Sequence, residues 1–123
     1  ITRRLVNACK NKYVHIIAHP TGRLWGVRDA YPMDIGEVCR AAADTGTALE
    51  INSFPDRLDV NDEICRFAKK SGVRFAIDSD SHHIGHLDAL RFGISVARRG
   101  WLTKHDVLNT RTLLNLRKEL KKK

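Results

Sequence analysis

Three polar side chains follow short apolar segments of the sequence and have the chemistry to bind a metal ion. His19 follows the β-branched segment 13–18, and Asp80 and His82 follow the segment 73–77. Alternate residues of an extended segment point the same way, so Asp80 and His82 can bind one ion together. Imidazole and carboxylate ligands suit zinc, manganese or iron. The spacing therefore predicts a metal site formed by these three side chains.

Each of these side chains also has a structural interpretation. His19 can be a loop residue that binds nothing, and Asp80 can cap the helix that follows it. We expect His83 and His86 in loop or cap roles, because a helix that starts near them would direct them away from Asp80. We expect His15, inside the first apolar segment, to be a buried histidine whose hydrogen bonds are satisfied.

Three more polar residues lie near the predicted strand ends and are candidates for orienting a ligand. Asp78 precedes Asp80 by two positions, on the same side of an extended segment. It is either a hydrogen-bond partner of a ligand or a solvated carboxylate. Glu50 lies in a second apolar segment, and Asn52 follows it directly. These positions predict a polar layer behind the metal ligands.

Two arginines follow the predicted strand ends within a few residues. Arg23 comes after the first segment and Arg57 after the second. A guanidinium group beside a metal site suits a phosphate substrate, because its planar fork matches two phosphate oxygens. The alternative is a surface salt bridge, for instance between Arg57 and Asp56 or Asp59.

The elements that would position these residues alternate between strand and helix. The apolar patterns predict strands at 13–18, 48–51 and 73–77. Capping residues and helical spacing predict helices at 3–11, 38–44, 61–72, 87–97 and 113–120, with another start at Thr103 and Asp106. This alternation predicts a parallel sheet of about three strands with flanking helices. Function collects at the carboxyl ends of such strands, where the three candidate ligands would meet.

The size and composition of the chain limit it to one domain or part of one. It has 123 residues, of which 42% are hydrophobic and 29% charged, as in a globular protein. No apolar run approaches the roughly 20 residues that span a membrane, so we expect no membrane partner. The three separated cysteines argue against a disulfide scaffold and predict reduced, buried thiols in a cytoplasmic protein. The sequence lacks a starting methionine, so we expect it to be a piece of a longer chain.

The net charge of +8 suggests an anionic partner, either nucleic acid or a phosphorylated metabolite. Segment 111–123 contains two arginines, four lysines and one glutamate, and so carries five of these net charges. It either contacts phosphates or is a solvated helix end.

Several motifs, in a fixed order along the chain, indicate a resemblance to a known family. They occupy residues 17–23, 48–52, 55–59, 78–82, 98–102 and 106–110. Over residues 2–116 the chain resembles the C-terminal part of the polymerase-and-histidinol-phosphatase (PHP) domain, in the version that bacterial and archaeal family X DNA polymerases carry. The resemblance implies the last β/α units of a distorted barrel of seven, so that residues 1–123 would be the C-terminal portion of a PHP phosphoesterase domain. The upstream half of the barrel and the polymerase domain would be absent.

The resemblance also implies a trinuclear metal cluster, with manganese or zinc as the expected ions. His19 matches a single-histidine ligand of the family, and Asp80 and His82 match its closing Asp-x-His pair. The family's opening histidines and bridging glutamate would lie upstream of residue 1. The cluster is therefore expected to be incomplete in this chain.

The function implied is that of a DNA repair polymerase whose PHP domain trims DNA 3′ ends, as a 3′–5′ exonuclease and 3′-phosphatase. One alternative is a stand-alone phosphatase of the histidinol-phosphatase type. The other is a basic DNA-binding module without catalysis. We expect the chain alone to be inactive and to self-associate through an open barrel edge.

Overall fold

The computed structural model describes residues 1–120, a stretch in which helices and short strands alternate. The basic residues Lys121–Lys123, for which phosphate contacts are one interpretation, lie outside it. The elements are α1 (Thr2–Lys10), β1 (Ile16–Ile17), α2 (Ile35–Thr45), β2 (Ala48–Asn52), α3 (Asp62–Lys70), β3 (Phe75–Asp78), α4 (Leu90–Arg99) and α5 (Leu113–Glu119), with 3-10 turns at Ile84–Ala89 and Leu108–Thr110.

The three strands form one parallel sheet in the order β1-β2-β3. Ile16 pairs with Ala48 at one side of β2, and Asn52 pairs with Asp78 at the other. This register brings the carboxyl ends of β2 and β3 to the same level. The predicted α/β class with three parallel strands is confirmed, and the layer is consistent with part of a β/α barrel.

The helix boundaries follow the capping residues that the sequence contains. The Asp34 side chain accepts a hydrogen bond from the Glu37 backbone N–H at 2.8 Å, and Asn61 accepts one from Ile64 at 2.9 Å. Gly46 ends α2 in the left-handed conformation, with φ of 67°. These local signals suffice because each cap involves residues only three positions apart.

The core lies between the sheet and helices α2 and α3. Leu49 and Phe75 of the sheet are fully buried there, together with Val38. The three cysteines are also buried, and none of them forms a disulfide within residues 1–120; burial raises the pKa of Cys39 to about 11 and that of Cys65 to about 12. The prediction of buried, reduced thiols is confirmed.

The two edges of the sheet differ. At the β3 edge, Ile77 donates its backbone N–H to Asn109 Oδ1 at 2.9 Å, and the Asn109 amide donates back to the Ile77 carbonyl. Phe75 at the same edge donates its backbone N–H to the Asp106 carbonyl at 2.9 Å, so the segment 106–109 partly takes the place of a neighbouring strand. At the opposite edge, no further strand of residues 1–120 pairs with β1. This edge leaves backbone groups available to another strand.

Three local predictions are wrong. The first strand has two paired residues rather than six, because Tyr13 and Val14 belong to the turn that follows α1 and the chain leaves the sheet after Ile17. The α4 helix begins at Leu90, after a 3-10 turn, rather than at Leu87. Thr103 starts no helix, because Asp106 Oδ2 accepts hydrogen bonds from the Thr103 backbone N–H and hydroxyl and closes a turn instead.

Gly93 allows α4 to approach the sheet closely. A Cβ at this position would lie 1.9 Å from Ser53 Oγ and 2.9 Å from Ile77 Cγ2. We therefore expect Gly93→Ala to lower the free energy of unfolding by about 2 kcal/mol through overpacking. Urea unfolding of the chain measures this, and the exposed Ser95→Ala on the same helix is the control. Equal stability of the two variants would contradict the close approach.

The turn at Asp106 makes stability depend on pH at the acid end. Partial burial raises the pKa of Asp106, but hydrogen bonds from Thr103 and Lys69 outweigh it, and the net shift is downward. The unfolded chain then binds a proton more readily than the fold, so this contribution is present above about pH 4 and is lost as pH falls further. We therefore expect the free energy of unfolding of Asp106→Asn to fall less steeply than that of the wild type as pH drops below about 4. The control is the exposed Asp88→Asn, which should keep the wild-type pH dependence. An unaltered pH dependence in Asp106→Asn would refute this assignment.

Candidate functional site

Asn52 connects the carboxyl ends of the strands. It is fully buried at the end of β2. Its amide Nδ2 donates to Asp80 Oδ2 at 3.0 Å and lies 3.3 Å from Glu50 Oε2. The side chain also accepts the Phe54 backbone N–H at 3.1 Å, so both ends of the amide are engaged. Asn52 therefore holds Asp80 and Glu50 in fixed relative positions.

Glu50 and Asp78 form a carboxyl pair beneath this layer. Burial, and then the hydrogen bond with Asp78, raise the pKa of Glu50 to about 8. The Glu50 carboxyl also accepts the backbone N–H of His19, at the end of β1. Asp78 Oδ1 accepts the Asp80 backbone N–H at 3.2 Å. The pair thus links all three strand ends and fixes the backbone of two predicted ligands.

Asp80 is the anionic centre of the site. The hydrogen bond from Asn52 is the main cause that lowers its pKa, and the charges of His82, Arg57 and His19 act in the same direction against partial burial. Arg57 Nε lies 3.4 Å from Asp80 Oδ2. Asp80 is therefore ionised at neutral pH and surrounded by nitrogen groups.

His19 and Asp80 both adopt the left-handed backbone conformation, with φ of 30° and 50°. Non-glycine residues rarely adopt it, and such positions concentrate at functional sites. His82 is 78% exposed, and its Nδ1 lies 2.8 Å from the Asp80 carbonyl oxygen and 4.0 Å from Oδ1. His19 and His82 thus both lie within electrostatic reach of the Asp80 carboxylate.

The donor types suit a divalent metal, but the site is incomplete. Imidazole and carboxylate groups are common metal ligands. Within residues 1–120, however, no three His, Cys, Asp or Glu side chains are grouped closely enough to hold an ion. His82 Nδ1 faces the Asp80 carbonyl, a contact that leaves the other ring nitrogen, Nε2, available to an ion.

The two arginines have different roles in this arrangement. Arg57 pairs with Asp80 rather than with Asp56 or Asp59, and its buried Nη1 has no partner among the described residues. Arg23 donates from Nε to the Arg57 carbonyl at 2.9 Å and from Nη2 to the Leu58 carbonyl. Arg23 therefore supports the loop that carries Arg57. The contact of either residue with phosphate stays a prediction.

Asp59 is a site residue that the sequence analysis considered only as a salt-bridge partner. It is fully buried and accepts the backbone N–H groups of Thr21 and Gly22, both at 3.0 Å. It thereby fixes the loop that follows His19. The partners are 37 and 38 residues away in sequence, so no local pattern announces the contact.

Of the predictions for the other histidines, the one for His83 is confirmed and the one for His15 is wrong. His83 caps the 3-10 turn, since its Nδ1 accepts the Gly85 N–H at 3.0 Å, as predicted for a cap. The expectation for His15 is wrong, because its buried Nδ1 finds no hydrogen-bond partner in the described part of the chain.

Comparison with known proteins identifies relatives over nearly the whole chain. The DNA polymerase/3′-5′ exonuclease PolX of Bacillus subtilis (strain 168) is 44% identical over 122 residues, which is 99% of this chain and 21% of PolX. The predicted resemblance to a bacterial family X DNA polymerase is confirmed. Probable phosphatases of Thermoanaerobacter sp. (strain X514) and Shewanella sp. (strain ANA-3) are 35% and 34% identical over 89% and 88% of the chain. No protein-family model matches.

The chain spans only part of each of these relatives. It corresponds to about a fifth of the length of PolX and to 44% of the Thermoanaerobacter phosphatase. The similarity to both groups supports a PHP-like phosphoesterase region. Among residues 1–120, no helix combines the length and apolar character required to cross a bilayer.

Proposed function

We propose that residues 1–123 are the C-terminal portion of a PHP phosphoesterase domain in a DNA repair polymerase of family X. The proposed reaction of the parent protein is trimming of DNA 3′ ends, as a 3′–5′ exonuclease and 3′-phosphatase. The observation that carries the proposal is the ionised Asp80, which Asn52 and Arg57 hold between His19 and His82 at the strand ends. The 44% identity to an exonuclease-bearing polymerase supports the DNA substrate.

The residues of this chain have different roles in the proposed site. Asn52, Glu50 and Asp78 orient the ligands, because they bind the Asp80 carboxylate and the backbones of Asp80 and His19. Arg57, whose Nε lies 3.4 Å from Asp80 Oδ2, would contact a phosphate oxygen beside the ligands. Manganese or zinc, when bound, supplies an activated water and neutralises charge on the phosphate. His19, Asp80 and His82 would be this chain's ligands, completed by residues of the parent protein.

A stand-alone phosphatase is the second candidate, because several relatives are named probable phosphatases. The parent protein should be assayed with manganese on a single-stranded DNA 3′ end and on histidinol phosphate. Faster turnover of DNA supports the exonuclease proposal, and turnover of the small ester alone supports the phosphatase. A DNA-binding module without catalysis would turn over neither, and elemental analysis would find no metal in it.

We expect the 123-residue chain alone to be inactive, because its described residues group no complete metal site. We also expect at most one weakly held ion per chain and self-association through the β1 edge, where no neighbouring strand is present among the described elements. Nucleotide release from DNA, metal content and light scattering measure these three properties. Turnover equal to that of the intact parent would contradict the expected inactivity. A strictly monomeric mass at high concentration would contradict the expected self-association.

A further inference from the structure

A second concave surface lies beside the loop that carries Arg57. This groove of about 430 Å³ lies between the loop at residues 24–28 and helix α4, and Trp25, Phe92, Arg23, Arg99 and Asp62 line it. Its volume is within the range of about 300–1,000 Å³ that is usual for ligand sites. None of these side chains except Arg23 is a candidate of the site described above.

Trp25 is fixed by its backbone and open at its ring. Leu24 and Arg28 exchange backbone hydrogen bonds of 2.9 and 2.8 Å, and the Trp25 N–H donates to the Asp56 carbonyl at 2.7 Å. The Arg23 guanidinium lies 4.6 Å from the ring centre, yet the residue remains 60% exposed. The Arg23 cation thus lies over the indole while most of the residue stays open to solvent.

The charges around the groove favour an anion. Asp62 is the acidic side chain that lines it, and Arg66 Nη1 and Arg99 Nη2 both approach Asp62 Oδ2, at 3.3 and 3.6 Å. Arg99 is 76% exposed and has donors left for another acceptor. Arg23 also lines the groove, so its described lining contains two guanidinium groups and one carboxylate. An aromatic face with arginines beside it is the usual platform for single-stranded nucleic acid.

We propose that this groove binds a nucleotide of single-stranded DNA, with its base stacked on Trp25 and its phosphates near Arg23 and Arg99. The inference rests on the proposed function and specifies where the strand runs. Arg23 joins the two surfaces, since it stacks on Trp25 and donates to the carbonyl of Arg57, the residue that pairs with Asp80. A DNA strand bound in the groove would therefore lead directly to the site at the carboxyl ends of the β-strands.

Binding of oligothymidylate to the 123-residue chain at low salt tests this. Trp25→Ala should weaken the affinity, measured by anisotropy of labelled oligothymidylate, by about tenfold, which is typical for loss of one stacked base. Trp101→Ala is the matched control, because Trp101 is 69% exposed but does not line the groove. In a Trp101→Phe chain, Trp25 is the sole tryptophan, and oligothymidylate should quench its emission.

Equal affinities of the wild type and Trp25→Ala, or unquenched emission at saturation, would overturn the inference. So would absence of binding combined with a change of oligomer mass in Trp25→Ala, which would assign the groove to a protein contact. The proposed catalysis fails separately. If Trp25-dependent binding is found and the parent protein cleaves no DNA, the groove assignment stands and the nuclease proposal does not.

Discussion

Asp80→Asn or His82→Ala in the intact parent protein should reduce phosphoester cleavage at least about a thousandfold and leave nucleotide incorporation nearly unchanged. Asp80 is the centre on which Asn52, Arg57 and the neighbouring imidazoles converge. An amide at this position removes the charge that Arg57 pairs with and that a metal ion requires. The measurements are nucleotide release from a DNA 3′ end with manganese and primer extension on the same preparation.

Matched substitutions elsewhere in the chain control for nonspecific damage. Asp88→Asn and His105→Ala change the same residue types at exposed positions outside the cluster and should leave both activities unaltered. If Asp80→Asn and His82→Ala retain full manganese-dependent nuclease activity, the assignment of these ligands is wrong. Loss of nucleotide incorporation together with cleavage would indicate unfolding of the parent rather than a ligand role.

Asp59→Ala should lower the free energy of unfolding of the chain by about 3 kcal/mol. The substitution deprives the buried Thr21 N–H of its acceptor and the Gly22 N–H of one of two, and an unsatisfied buried group costs about 1–3 kcal/mol. It also removes a carboxyl group that interacts with Arg23. Urea unfolding measures the change, and in the parent protein cleavage should fall as well, because the same loop carries His19.

The exposed Asp56→Ala, three residues earlier in the same loop, is the control and should change stability by less than about 0.5 kcal/mol. Asp59→Asn retains a carbonyl oxygen as acceptor and should lie between the two. If Asp59→Ala is as stable as Asp56→Ala, the Asp59 carboxyl is not what holds the loop.

The sequence alone determined the elements whose signals are local. The caps at Asp34 and Asn61 and the stop at Gly46 depend on residues a few positions apart, so the helix bounds could be predicted from the pattern. The alternation of strand and helix determined the parallel sheet, because right-handed crossovers connect parallel strands. It also indicated that His19 and Asp80 would follow strand ends, since polar residues interrupt apolar segments there.

Only the tertiary structure decided which polar groups meet. Asn52 and Asp80 are 28 positions apart, and the partner of Arg57 is Asp80 rather than a neighbouring aspartate. Each of these side chains was a candidate from the sequence, but strand register and loop conformation determine which of them are in contact. The contact at the β3 edge could not be predicted from the sequence either. The Asn109 side chain bonds to the Ile77 backbone, 32 positions away, only when the fold brings the two together. Such contacts cost loop-closure entropy and form with the whole fold, so no local pattern encodes them.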